Sequence, residues 1–170
     1  MKESLMENSP LRYFSQEQLR AIKRAETFES LSDIALLVLR GMPPGVAMVC
    51  GPITTGGSGS VEENLKRFAR AIALLDSRGE NIFTQLPFEA PMQKIKENKA
   101  YYKGGEHLLK TFYFWLFCSG YVTRLCFLPG WESSYGARWE HDRALAFDLE
   151  IKYLKENFEL LGPDESPFVE

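Results

Sequence analysis

The chain has 170 residues, of which 45% are hydrophobic and 25% charged, and it carries 12 Phe, 7 Tyr and 3 Trp. That composition excludes a disordered acidic segment and suits one globular domain with a sizeable core. Twenty Lys and Arg against 23 Asp and Glu leave a formal net charge of −3, which removes any global electrostatic reason to bind a nucleic acid polymer or an anionic membrane. The cysteines, Cys50, Cys118 and Cys126, are odd in number and lack CxxC spacing, so neither a zinc site nor a disulfide framework is expected. The first residues, MKESLMENSP, have no apolar leader core. The apolar runs fall short of the ~18–20 residues that span a bilayer. The expectation is a soluble, cytoplasmic domain without metal or cofactor.

Ser15 and Gln18 have the spacing of a capping box that opens a helix over 16–28. Leu31, Ile34, Val38 and Leu39 share one face of a second helix over 30–41, and the run Gly41-Met42-Pro43-Pro44-Gly45 stops it. Residues 1–44 thus read as an N-terminal helical extension. Val46 to Cys50 is a continuous apolar run, as in a buried parallel strand. A glycine-rich loop, GPITTGGSGS, leads from it into a helix over 61–78 with Leu65, Phe68, Ala69, Ile72 and Leu75 on one stripe. Asn81 to Thr84 reads as a second strand. Helices follow over 88–98 and, very rich in aromatics, over 105–118. Leu125 to Leu128 reads as a third strand, 137–147 as a helix, 149–154 as a last strand and 162–170 as a loose tail. Strands alternating with helices predict an α/β domain over 45–155 followed by a tail over 156–170. The predicted fold is Rossmann-like or flavodoxin-like, with a parallel sheet of four to five strands and helices on both faces.

In such sheets ligands bind beyond the carboxyl ends of the strands. Two segments lie there. The first is Gly51 to Ser60, where backbone amides and a helix start can cradle a phosphate or a sugar hydroxyl, or simply link strand to helix. It lacks the Gly-Lys-Ser/Thr of a P-loop. The second is 128–146, LPGWESSYGARWEHDRALA, with Ser134, Gly136, Arg138 and Glu140 in order. A glutamate in the first turn of a helix is held ionised by the helix dipole, as a nucleophile or an electrostatic stabiliser requires; alternatively, it caps the helix or pairs with Arg138 or Arg143.

The strand followed by Gly-Pro-Ile-Thr and a long amphipathic helix, with the later LPGWE-x-S-x-G-A-x-x-E-x-x-x-A string, resembles the nucleoside 2-deoxyribosyltransferase-like superfamily, in particular a small bacterial and phage branch of it. The likeness spans roughly residues 46–154. It implies that Glu140 stands at the position of the catalytic nucleophile, Gly136 at the motif glycine and Ala144 at the motif alanine. Ser134 stands where the enzymes have Asp, Ala137 replaces Thr and Asp142 replaces a glycine. The loop holding sugar or phosphate would comprise Gly51, Pro52, Ile53, Thr54, Thr55, Gly56 and Gly57. The family's aspartate before the third strand has no counterpart in Ser119 to Thr123. The resemblance therefore keeps the nucleophile and loses both usual helper carboxylates.

Cleaving an N-glycosidic bond builds a cationic sugar that a carboxylate can stabilise, while a second group protonates the leaving base. Glu140 suits the first role, with Ser134 beside it. The second has no obvious owner: Glu132 and Asp142 flank the site, Glu89 follows the second strand in the QLPFE segment that could line the pocket, and Tyr135 can donate a hydrogen bond. His141 has a suitable pKa but points about 100° away from Glu140 on a helix. Arg138 can hold a phosphate or form a surface ion pair, and Trp131 can stack on a base or act as a packing lid. His107 reads as structural. Phe112, Tyr113, Phe114, Trp115 and Phe117 cover nearly every face of their helix, which suggests burial against another subunit, in a dimer or higher oligomer. The expected ligand is a small nucleoside or nucleotide. The readings are an N-glycosidase or deoxyribosyltransferase and, alternatively, a catalytically degenerate nucleotide-binding module. A looser likeness runs to phosphoribohydrolases.

Overall fold

Ser15 opens the first long helix in the way its spacing requires. Its Oγ accepts from the Gln18 amide at 3.0 Å, and Gln18 Oε1 accepts from the Ser15 amide at 2.9 Å. This helix, α1, spans Gln16–Arg24. It stops short of residue 28 because Thr27 caps the next helix, α2 (Phe28–Gly41), by accepting from the Ser30 amide at 3.1 Å. The structure is a computed structural model that describes residues 9–54, 56–57, 59–162 and 164–165.

α2 buries Phe28, Leu31, Ala35, Val38 and Leu39, which recur at helical spacing. These side chains join one core with Val46, Met48, Cys50 and Phe127 of the sheet. The segment that reads as an extension in the sequence is thus built into the wall of the α/β unit. Phe14 is drawn in as well, against Phe83 and Phe88.

β1 (Val46–Cys50) is buried at all five residues. It pairs in parallel with β2 (Val122–Phe127), which pairs in parallel with β3 (Glu150–Tyr153). The order is β1-β2-β3. The segment read as a strand over 81–84 makes only a single parallel bridge, Ile82 to Ala47, on the free side of β1. Its two hydrogen bonds are Ala47 N–H to Asn81 O at 2.8 Å and Phe83 N–H to Ala47 O at 3.0 Å. The next carbonyl along β1, that of Val49, accepts instead from the Gln85 side-chain amide at 2.8 Å. The ladder ends there, so the described sheet has three strands, with isolated bridges at Ala47–Ile82 and Leu154–Leu160, rather than four to five strands.

Helices cover both faces. Ala47, Val49, Cys126 and Leu128 meet Phe68, Ala71, Ile72 and Leu75 of α3 (Val61–Ser77). The opposite face carries Met48, Cys50, Leu125 and Phe127 and packs against α2, α4 (Leu86–Lys96) and the helix that follows, α5. The α5 helix runs over 105–118 and changes pitch within its length. Leu109–Tyr113 is a π-helical turn between the α-helical Gly105–Leu108 and Phe114–Cys118. The last helix, α6, is Tyr135–Ala146, capped by Ser134. Beyond β3 the chain folds back, with Leu161 N–H donating to Tyr153 O at 2.7 Å and Arg78 donating to Phe158 O at 3.0 Å. Residues 156–162 therefore lie along the sheet edge, and most of the remaining tail falls outside the described residues. The architecture is α/β, consistent with a Rossmann-like fold. No described helix is long and apolar enough to cross a membrane.

Candidate functional site

The Ile82 segment lies on one side of β1 and β2 on the other, so consecutive connections leave in opposite directions. Parallel sheets open a crevice at such a reversal. The two loops singled out by the sequence leave the adjoining carboxyl ends of β1 and β2, and they are tied together. The Gly57 amide donates to Ser133 Oγ at 3.0 Å, while Asn64 Nδ2 donates to Ile53 O at 2.9 Å and Gly56 O at 3.2 Å. Gly56 and Gly57 have φ of +68° and +71°, and a Cβ on either would collide with Ser133 or Asn64. Both glycines are therefore required by a left-handed backbone and a close approach. This part of the loop braces its neighbour; the Gly57 amide is already engaged.

A cavity of about 90 Å³ lies under the loops. Its walls come from four places in the chain: Gly51, Ile53 and Thr54 after β1; Glu89, Gln93 and Lys96 on α4; Leu108, Leu109 and Tyr113 on α5; and Ser134, Gly136, Ala137 and Glu140 at the start of α6. The π turn of α5 carries both Leu109 and Tyr113 into this wall, and π turns of this kind recur at functional sites. Past Glu89 and Gln93 the cavity adjoins a wider apolar groove of about 480 Å³ between α3 and α4, lined by Val61, Leu65, Ala69, Leu86 and Ala90 among others.

Two buried carboxyls face the cavity. Glu140 is 8% exposed and Glu89 also 8%. Burial pushes the Glu140 carboxyl up to about 8; its contact with the Cys50 thiol opposes this and the charge of Glu89 adds to it. Burial likewise raises Glu89 to about 7, against the pull of Lys96 and of the Tyr113 hydroxyl. Burial holds both Cys50 and Tyr113 well above their ordinary values, so both are neutral. The expectation of a first-turn glutamate kept ionised by the helix dipole is corrected here. Glu140 is the sixth residue of α6, beyond the reach of the terminal amides, and desolvation dominates its titration.

Of the residues singled out in the sequence, Glu140, Ser134, Gly51, Ile53, Thr54 and Gly136 meet at the cavity. Ser134 also serves as the N-cap, its Oγ accepting from the Ala137 amide at 3.3 Å. Pro52, Gly56 and Gly57 do not line it, and Thr55 lies outside the described residues. Trp131 faces elsewhere: it is buried and stacks on His141 with ring centroids 4.3 Å apart. His141 Nε2 in turn meets the Tyr153 hydroxyl at 2.7 Å. Burial lowers the His141 pKa, with Asp142 and Glu132 opposing, and the ring stays in this aromatic stack. Arg138 donates to Glu132 O at 2.5 Å, and the Tyr135 hydroxyl donates to Glu106. Trp131, Glu132, Tyr135, Arg138 and His141, with Asp142, border a separate surface hollow.

Glu89 was legible in the sequence only as a residue that could line the pocket, and Gln93, Lys96, Cys50 and Tyr113 were not legible as site residues. One signal was available on α4. Glu89, Gln93 and Lys96 are spaced i, i+4, i+7, a polar stripe beside the apolar stripe of Phe88, Met92 and Ile95. Tyr113 was hidden in the aromatic run. Among the described residues no group of three His, Cys, Asp or Glu is placed to hold a metal ion.

The sequence matches no protein-family model, and comparison with curated proteins and with solved structures yields no match.

Proposed function

We propose that this pocket breaks the N-glycosidic bond of a nucleoside or nucleotide, with Glu140 at the anomeric carbon and Glu89 as the partner acid. The observation that carries this reading is the pair of buried carboxyls in one cavity at the sheet's reversal point. Their raised titrations leave about one proton between them near neutral pH. Glycosidic cleavage needs that stoichiometry: one carboxylate for the cationic sugar and one carboxylic acid for the leaving group.

In the resting protein the two carboxyls share that proton. Positive charge growing at the anomeric carbon favours the Glu140 carboxylate and places the proton on Glu89. As the carbon–nitrogen bond breaks, its electron pair leaves with the base and takes the Glu89 proton. The sugar carbon bonds to Glu140 or is held beside it until water, or a second base, attacks. Glu89 takes up the proton of that acceptor. The 90 Å³ cavity suits part of a sugar, since one water occupies roughly 30 Å³ of liquid. The adjoining groove offers the flat, apolar surface that a base needs.

A second reading is a nucleotide-binding module without turnover. It is favoured by Ser134, which occupies the enzymes' aspartate position as a simple cap, and by a resting Glu140 that is only partly ionised. Incubation with a panel of nucleosides and 5′-monophosphates, with free base measured by chromatography, separates the two. The enzyme reading expects base release that Glu140→Gln abolishes and that Glu89→Gln lowers by roughly 10²–10⁴-fold. Absence of release together with a rise in melting temperature on adding a nucleotide overturns it in favour of the module.

A further inference from the structure

The outward face of α2 carries a pattern that its own core explains only in part, since Leu36 is half-buried against that core while Asp33, Leu37 and Arg40 are exposed. Asp33, Leu36, Leu37 and Arg40 fall at i, i+3, i+4 and i+7, so they form one stripe with an acid at one end, a base at the other and two leucines between. Leu37 is 56% exposed. Across a shallow groove of about 610 Å³ stand Trp115, 52% exposed, and Tyr121, 38% exposed. Seven large apolar side chains are exposed among the described residues, and three of them gather on this face. Neither Asp33 nor Arg40 forms an ion pair among the described residues.

We propose that a second copy of this chain occupies the groove, with α2 paired against α2 of the other copy, antiparallel, about a two-fold axis passing between Leu36 and Leu37. A two-fold interface must be self-complementary. In this stripe Asp33 and Arg40 are equidistant from the midpoint, so the operation sets each aspartate opposite the other copy's arginine. The leucines meet at the centre, and each Leu37 projects toward the Trp115 and Tyr121 side of the groove. An isolated apolar groove would not favour a copy of itself over other partners, whereas opposite charges placed symmetrically about an apolar centre do. The rest of the aromatic run on α5 is excluded from this role: Phe112, Tyr113 and Phe117 are buried within the chain, and Phe114 packs on Phe147. Trp115 alone of the five rings is left exposed at the surface.

Sedimentation equilibrium of the full chain over a hundredfold dilution series tests the pairing. The wild type is expected to be a reversible dimer. Leu37→Glu is expected to be monomeric with an unchanged circular dichroism spectrum, since the residue is exposed. Asp33→Arg and Arg40→Asp should each weaken the dimer by about tenfold or more, because each sets like charges face to face, and the double variant Asp33→Arg/Arg40→Asp should restore it. A monomeric wild type, a dimer that survives Leu37→Glu, or a double variant no better than either single change overturns the proposal.

Discussion

Glu140 sits where a carboxyl is costly. It is surrounded by the sheet end, α5 and α6, and the near neighbours that titrate are a neutral thiol, a neutral phenol and a second carboxyl. Its folded-state value, about 8, lies above the ordinary 4.5, and that of Glu89, about 7, does as well. A carboxyl raised on folding stabilises the protein fully below its unfolded value and loses that contribution as pH rises through its folded value. The native state should therefore weaken between about pH 4.5 and pH 8. Glu140→Gln is expected to raise stability by on the order of 4 kcal/mol at the upper end of that window and to leave it nearly unchanged at the lower end, since each tenfold change in a protonation equilibrium is worth ~1.4 kcal/mol and the shift spans about three of them. Chemical denaturation at both pH values checks this. A variant equally stabilised at both would mean that burial of charge is not the cause. Under the proposed glycosidic cleavage, the same pair should give base release a bell-shaped pH dependence with limbs near 7 and 8. Because the charge of Glu89 raises Glu140, Glu89→Gln should move the remaining limb to lower pH.

At the scale of elements, the site depends on how two loops and two helices hold one another. Gly57 combines a φ of +71° with Asn64 and Pro52 crowding the place a Cβ would take, and its amide donates to Ser133 across to the second loop. Gly57→Ala should distort the first loop and separate the two. The left-handed backbone alone costs about 1 kcal/mol for a residue with a Cβ, and the collision adds to it. The expected result is a modest fall in melting temperature and a much larger fall in ligand binding or turnover; a fall in stability alone would show that the brace does not shape the pocket. The π turn in α5 belongs to the same scale. Ordinary helical pitch places i and i+4 side by side only approximately, and the wider turn sets Leu109 and Tyr113 into one wall.

The whole molecule uses its N-terminal helices as one wall of the core. Phe28, Leu31, Ala35, Val38 and Leu39 pack with the sheet residues Met48, Cys50 and Phe127. α2 therefore supports the face from which α4 and α5 present Glu89 and Tyr113. Leu31→Ala is expected to destabilise the protein by about 2–5 kcal/mol, as other deletions of fully buried leucines do. Removing residues 1–44 should leave a state that binds a hydrophobic dye and lacks near-ultraviolet circular dichroism. A truncated chain that melts cooperatively would show that residues 45–155 fold alone.

Much of this was legible in the chain itself. Local rules sufficed for the Ser15 capping box, the apolar run of β1, the amphipathic α3 and the two loops at the strand ends, because capping, alternation and helical spacing act between residues close in sequence. Of the residues those rules singled out, Ser134, Glu140, Gly51, Ile53 and Thr54 meet in one cavity. Trp131 and Arg138 were beyond such rules. Trp131 lies in the second loop and Arg138 in the first turn of α6, and each turns toward partners, His141 and the Glu132 carbonyl, that only the fold brings near. The strand expected at 81–84 shortened to one bridge for a similar reason, since a side chain from Gln85 takes the next β1 carbonyl.

The sequence by itself determined an α/β chain of near-neutral charge with a candidate glutamate after a strand. Tertiary structure decided what that glutamate is. Folding carries Glu89 across from α4, sets Cys50 and Tyr113 around the pair and removes water from both carboxyls. The titration of a carboxyl depends on its desolvation and on charges from distant parts of the chain, and neither quantity is encoded in spacing along one helix.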